Sequence, residues 1–105
     1  MNRFSEKDWK LFRSKISGWQ EAYMEKLNQE YIELLSGGGN ASDRFWALEK
    51  RIQEDKKDCG VQCRMSRANL LFILVSLLNE GAITFDDLEG FSDDLKDTLR
   101  HLAGK

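Results

Sequence analysis

Leu70-Leu71-Phe72-Ile73-Leu74-Val75-Ser76-Leu77-Leu78 is the stretch whose reading decides the fold. Eight of its nine residues are large and apolar. At helical pitch such a run is apolar nearly all round, which describes a helix with protein on most sides. At strand pitch it is a buried strand, and periodicity alone does not separate the two in a short run. The flanks do. Ser66 suits an N-cap, and Gly81 follows Asn79 and Glu80 as a stop signal. Arg67 to Glu80 is 14 residues, an ordinary length for a helix and a long one for a strand. Asn69, Ser76 and Glu80 share one narrow stripe, expected to be the wet edge. The run therefore predicts a buried central helix wrapped by amphipathic ones.

Upstream, the spacing of Trp9, Phe12, Ile16, Trp19, Tyr23, Leu27, Tyr31 and Leu34 in steps of three and four defines one helical face. Ser5 suits the N-cap of this helix, with Asp8 at N3 in an imperfect capping box. The helix is expected to run to Leu35 or Ser36, which makes it about 45 Å long. That exceeds what a small domain needs, so one end projects or the helix bends, with Gly18 the place for a bend or a close approach. Gly37-Gly38-Gly39-Asn40 then forms a turn. Ser42 is expected to cap a second, antiparallel helix that reaches Gly60. Phe45, Leu48, Ile52 and Cys59 are expected on its inner face and Trp46 at the edge. Lys50–Glu54 and Arg51–Asp55 are i,i+4 pairs on the charged side.

Downstream, Thr84 caps a helical turn from Phe85 to Glu89 that Gly90 stops. Ser92 caps a last helix with Asp93 and Asp94 in its first turn, where the dipole favours them, and with Leu95, Leu99 and Leu102 inward. No segment alternates like a strand. The expected fold is all-α: one domain over residues 1–105, a small bundle of about four helices with a long first helix and a buried third.

Composition narrows the function classes. A chain 41% hydrophobic over 105 residues is globular rather than disordered. The net charge of −2 offers no general attraction for nucleic acid. Residues 1–20 are basic (+3) and residues 80–105 acidic (−4), so the two are expected to lie side by side, with Arg64 and Arg67 pairing to the acidic segment. The first residues lack the apolar run of a signal peptide, and the nine-residue run is about half a bilayer span. A soluble, cytoplasmic protein with reduced Cys59 and Cys63 is expected.

No catalytic constellation emerges. Cys59 and Cys63 lack the second ligand pair of a zinc site and the spacing of a redox motif, so no metal or cofactor is expected. His101, one turn after Asp97, has no nucleophile partnered to it by motif and reads as a surface residue. The acidic run from Asp86 to Asp94 fails the calcium-loop spacing, because its third and fifth positions fall on Leu88 and Gly90. The three glycines lack the lysine of a phosphate loop. A helix-turn-helix reading fails because Leu70–Leu78 cannot face a DNA groove and also form the core.

The segments Phe4-Ser5-Glu6-Lys7-Asp8-Trp9, Trp19-Gln20-Glu21-Ala22-Tyr23 and Leu78-Asn79-Glu80-Gly81-Ala82-Ile83-Thr84-Phe85-Asp86-Asp87-Leu88 resemble a family of short bacterial helical proteins, some of which carry the label "multidrug transporter". The likeness covers nearly the whole chain. It implies one intact small domain and supplies no catalytic residues. The label finds no support in the residues, since no segment is long and apolar enough to span a membrane.

The function expected is that of a non-enzymatic protein–protein interaction module, regulatory in character, with a protein partner or a homodimer formed through the first helix. Its surface is expected to be the aromatic strip Trp9, Phe12, Trp19, Tyr23 and Tyr31, with Trp46, because the first helix has more apolar length than its neighbours can cover. The alternative is a nucleic-acid-associated regulator using the basic N-terminal half. A third possibility is a small enzyme built from scattered carboxylates, which requires a deep polar pocket.

Overall fold

The structure, a computed structural model, describes residues 6–103. It is all-α, with helices α1 (Glu6–Leu35), α2 (Ala41–Asp55), α3 (Leu70–Glu80) and α4 (Asp93–Ala103) and two short 3-10 turns, Arg67–Asn69 and Phe85–Leu88. Among the described residues there is no strand.

The molecule measures 52 × 24 × 20 Å, and α1, 30 residues and about 45 Å long, accounts for most of that length. Two sets of elements cover this helix in succession. Along its N-terminal half, Trp9, Phe12 and Ile16 enter a single core with Leu70, Ile73, Leu74 and Leu77 of α3 and Leu95 and Leu99 of α4, closed by Ile83, Leu88 and Phe91 from the connection. Along its C-terminal half α1 pairs with α2, and α2 contributes no fully buried residue. The excess length of α1 is resolved by projection. The helix runs unbroken through Gly18, which is exposed and has no side chain near enough to meet a Cβ there.

Local chemistry sets the boundaries. At the end of α3 the Gly81 N–H donates to the Leu78 carbonyl (3.2 Å) and the Ala82 N–H to the Leu77 carbonyl (2.9 Å). These are the paired bonds of a Schellman stop, which needs Gly81 at its observed φ of 80°. Thr84 and Asp87 cap the second 3-10 turn, with the Thr84 N–H donating to Asp87 Oδ2 at 2.8 Å. Ser92 caps α4 by accepting the Leu95 N–H at its Oγ (3.3 Å). Its hydroxyl and its own N–H both donate to the buried Asp8 carboxylate, at 2.7 and 2.9 Å, tying the start of α1 to the start of α4.

Several expectations need correction. The Ser5 capping box lies outside the described residues, and Asp8 accepts hydrogen bonds from Ser92, a partner the sequence pattern does not indicate. α2 starts two residues early, after Asn40, and stops at Asp55 instead of Gly60. Its face toward α1 runs through the half-buried Arg44, Ala47, Leu48, Arg51 and Asp55, which leaves Phe45 60% and Ile52 37% exposed. α3 is buried on Leu70, Ile73, Leu74 and Leu77, but its open side is Phe72 and Asn79. Ser76 and Glu80, expected to be wet, turn toward the Cys59 loop. Arg67 pairs with Glu6 of α1 (2.7 Å) and lies over the Trp9 ring (5.6 Å) rather than meeting the acidic C-terminal segment.

Candidate functional site: a projecting helical hairpin

The α1–α2 hairpin is built rigidly from its tip to its base. At the tip the chain reverses over residues 36–40, with Gly39 at φ 99°. The Arg44 guanidinium donates to the carbonyls of Gly37 (3.3 Å) and Gly39 (2.8 Å), sealing the turn. Along the seam Arg51 bonds Glu30 (2.7 Å) and Asp55 (3.4 Å) and lies over the ring of Tyr31 (5.4 Å). The Tyr31 hydroxyl donates to Asp55 Oδ2 at 2.5 Å. Burial and the adjacent Asp55 carboxylate push the Tyr31 phenol up to about 12.

At the base, the loop after α2 is clamped by three side chains from two helices. Glu80 of α3 accepts the backbone N–H of Cys59 (2.9 Å) and of Gly60 (3.0 Å) through its two oxygens. Gln20 of α1 donates to the Cys59 carbonyl (2.9 Å), and the Tyr23 hydroxyl donates to Asp58 (2.7 Å). Burial raises the Glu80 carboxyl above its ordinary value, against the lowering effect of the two N–H groups. Burial and Asp58 likewise raise the Tyr23 phenol. Cys59 and Cys63 are part-buried, unbridged cysteines beside each other. Burial, reinforced by Cys59, pushes the Cys63 thiol up to about 11, and burial also raises Cys59. Both are thiols at neutral pH, which disfavours nucleophilic attack.

Among the charged residues of its surface the hairpin exposes several large apolar side chains. Phe45 and Trp46 are 60% and 62% exposed and meet edge to face at 4.9 Å. Ile32 and Leu35 near the end of α1, and Ile52 on α2, are exposed as well. One side carries a groove of about 230 Å³ lined by Met24, Leu27, Tyr31, Ile52 and Val61 among others. Elsewhere among the described residues the exposed large apolar side chains, Met65, Phe72 and Leu102, sit on separate elements.

The strip expected as a binding surface is thus mostly internal. Trp9, Phe12 and Tyr23 are buried, and Trp19 is half-buried against Phe12 and Phe91 (ring centres 6.3 and 6.4 Å apart). Tyr31 is half-buried in the seam, and Trp46 alone of the six is open. Sequence reasoning missed Phe45, Ile32 and Leu35. For two of them the signals were present: Phe45 and Trp46 are adjacent and cannot both face one seam, and Ile32 stands off the stripe that carries Leu27, Tyr31 and Leu34, whereas Leu35, four residues after Tyr31, gave no such sign.

The remaining candidates are polar and open. His101 is exposed, with Nδ1 3.1 Å from the Asp97 carbonyl, while the Asp97 carboxylate binds Arg100 at 2.8 Å. A hollow of about 360 Å³ lies among Phe85, Asp86, Glu89, Lys96 and Arg100. Among the described residues no group of three or more His, Cys, Asp or Glu side chains is placed to hold a metal. No helix among them is long and apolar enough to cross a membrane. In comparisons with protein-family models, with curated proteins and with solved structures, nothing matches this chain.

Proposed function

We propose that this chain is a non-enzymatic protein-interaction module of the cytoplasm, regulatory in character, which meets its partner through the projecting α1–α2 hairpin. The observation that supports the reading most is the concentration of exposed apolar side chains there, Phe45 and Trp46 above all. A patch of large aromatic side chains on a soluble surface is a binding surface in most monomers that carry one, and Trp is a residue type enriched at energetic hot spots. The sealed tip and the clamped base hold the patch in one geometry, which lowers the entropy lost on association.

The test is site-specific photo-crosslinking in cells. A photoreactive side chain at Glu49, beside the patch, is expected to capture one protein, with the adduct lost on Trp46→Ala. The same group at Arg13, on the far half of α1, is expected to capture none. Adducts from Arg13 alone would contradict the hairpin reading. A salt-dependent shift of duplex DNA by the pure protein, lost on neutralising Lys7, Lys10 and Arg13, would favour the nucleic-acid alternative instead.

A further inference from the structure

We infer that the occupant of the hairpin is a second copy of this chain, docked hairpin against hairpin about a two-fold axis to form a four-helix bundle. The inference rests on the hairpin being the interaction surface and adds the identity of the partner. Two helices alone cannot enclose a core, because each has an apolar stripe and only one neighbour. The body of the molecule solves this with α3 and α4, and the hairpin lacks the second layer. A second hairpin supplies it.

Charge on α2 and the residues just after it favours the same occupant. Asp43 stands at the tip end of α2 and Lys56 and Lys57 just after its base, all three exposed, with Glu49, Lys50 and Glu54 of mixed sign between them. An isologous contact with the two α2 helices antiparallel lays Asp43 of each copy near Lys56 and Lys57 of the other. The area is sufficient. At about 150–250 Å² per aromatic side chain, covering the exposed parts of Phe45 and Trp46 removes roughly 200–300 Å² from water in each copy. With Ile32, Leu35, Ile52 and a polar rim on both copies, the contact reaches the region of about 1,200 Å² where specific interfaces begin.

Sedimentation equilibrium of the full chain, from about 1 to about 100 µM, tests this. The mass is expected to rise from 12.2 kDa toward twice that value. Trp46→Ala and Phe45→Ala are each expected to weaken association at least tenfold with unchanged circular dichroism, since both side chains are exposed in one copy. Phe72→Ala, the most exposed aromatic on another element, is expected to leave association intact. The charge reversals Asp43→Lys and Lys57→Glu should each weaken the dimer, and combining them should restore it. A monomer at every concentration overturns the inference, as does a dimer indifferent to Phe45→Ala and Trp46→Ala, or one lost on Phe72→Ala. A monomer whose Glu49 probe still captures a different protein removes the second copy as occupant and leaves the hairpin reading standing.

Discussion

Gly60 lies with its backbone against the ring of Tyr23, and a Cβ added there would come within 2.3 Å of that ring. The loop cannot retreat easily, because Glu80 holds the Cys59 and Gly60 N–H groups and Gln20 holds the Cys59 carbonyl. Gly60→Ala is therefore expected to cost about 1–3 kcal/mol, the range for forcing extra volume into a packed site. Urea denaturation measures it, and the cost should shrink in a Tyr23→Ala background, where the clashing ring is gone. Equal costs in both backgrounds would mean that the close approach is not the cause. Cys63 in the loop after Gly60 and Tyr31 in the hairpin seam both make stability fall at alkaline pH. The Cys63 thiol is raised from 9.0 to about 11 and the Tyr31 phenol from 10.0 to about 12, so the folded chain keeps protons that the unfolded chain has released. Their contribution is whole below the unfolded values of 9.0 and 10.0 and is lost as pH rises through about 11 and about 12. Urea midpoints are expected to fall across that window, and Tyr31→Phe, which has no phenol proton to lose, should flatten the upper part. Midpoints that rise with pH there would reverse the assigned sign.

Among the elements, α3 carries the core and α2 carries almost none of it. Leu74 is fully buried, so Leu74→Ala should lower stability by about 2–5 kcal/mol, whereas Trp46→Ala should stay within about 0.5 kcal/mol in the monomer. A melting shift for Leu74→Ala as small as that for Trp46→Ala would refute the division. The C-terminal end of α3 was legible because Gly81 is chemically suited to a Schellman stop; its start was not, since Ser66 precedes a 3-10 turn without a side-chain cap bond and α3 begins only at Leu70. Ser92 and Thr84 were legible as caps for the same local reason. The orientation of α2 was not. Its sequence offers Phe45, Leu48 and Ile52 as one apolar face, yet the seam is decided by Arg51 and Asp55 reaching Glu30 and Tyr31 on another helix. Periodicity within α2 carries no information about those distant partners. The Glu80 clamp escaped for a similar reason. A glutamate immediately before a helix-ending glycine reads as solvent-exposed, and only the fold brings loop N–H groups to it.

At the scale of the whole molecule, α1 is a spine with two consecutive loads: a closed core along its first half and an open hairpin along its second. The surplus length of α1 was readable from the spacing of its apolar residues, and projection was one of the two outcomes it allowed. Which aromatics the projection exposes was not readable, because α3, the connection after it and α4 wrap the N-terminal half closely enough to bury Trp9 and Phe12 completely or nearly so. The exposed patch therefore moves from the α1 strip to Phe45 and Trp46. The account stands on that patch being where the protein associates. Hydrogen–deuterium exchange of the full chain, followed at a dilute and a concentrated protein sample, tests it most directly. Amides of α2 and of the last two turns of α1 are expected to gain protection with concentration, while those of α3 and α4 do not change. Concentration-dependent protection confined to α3 or α4 would contradict association through the hairpin, and no change in the hairpin at any concentration would contradict its pairing with a second copy.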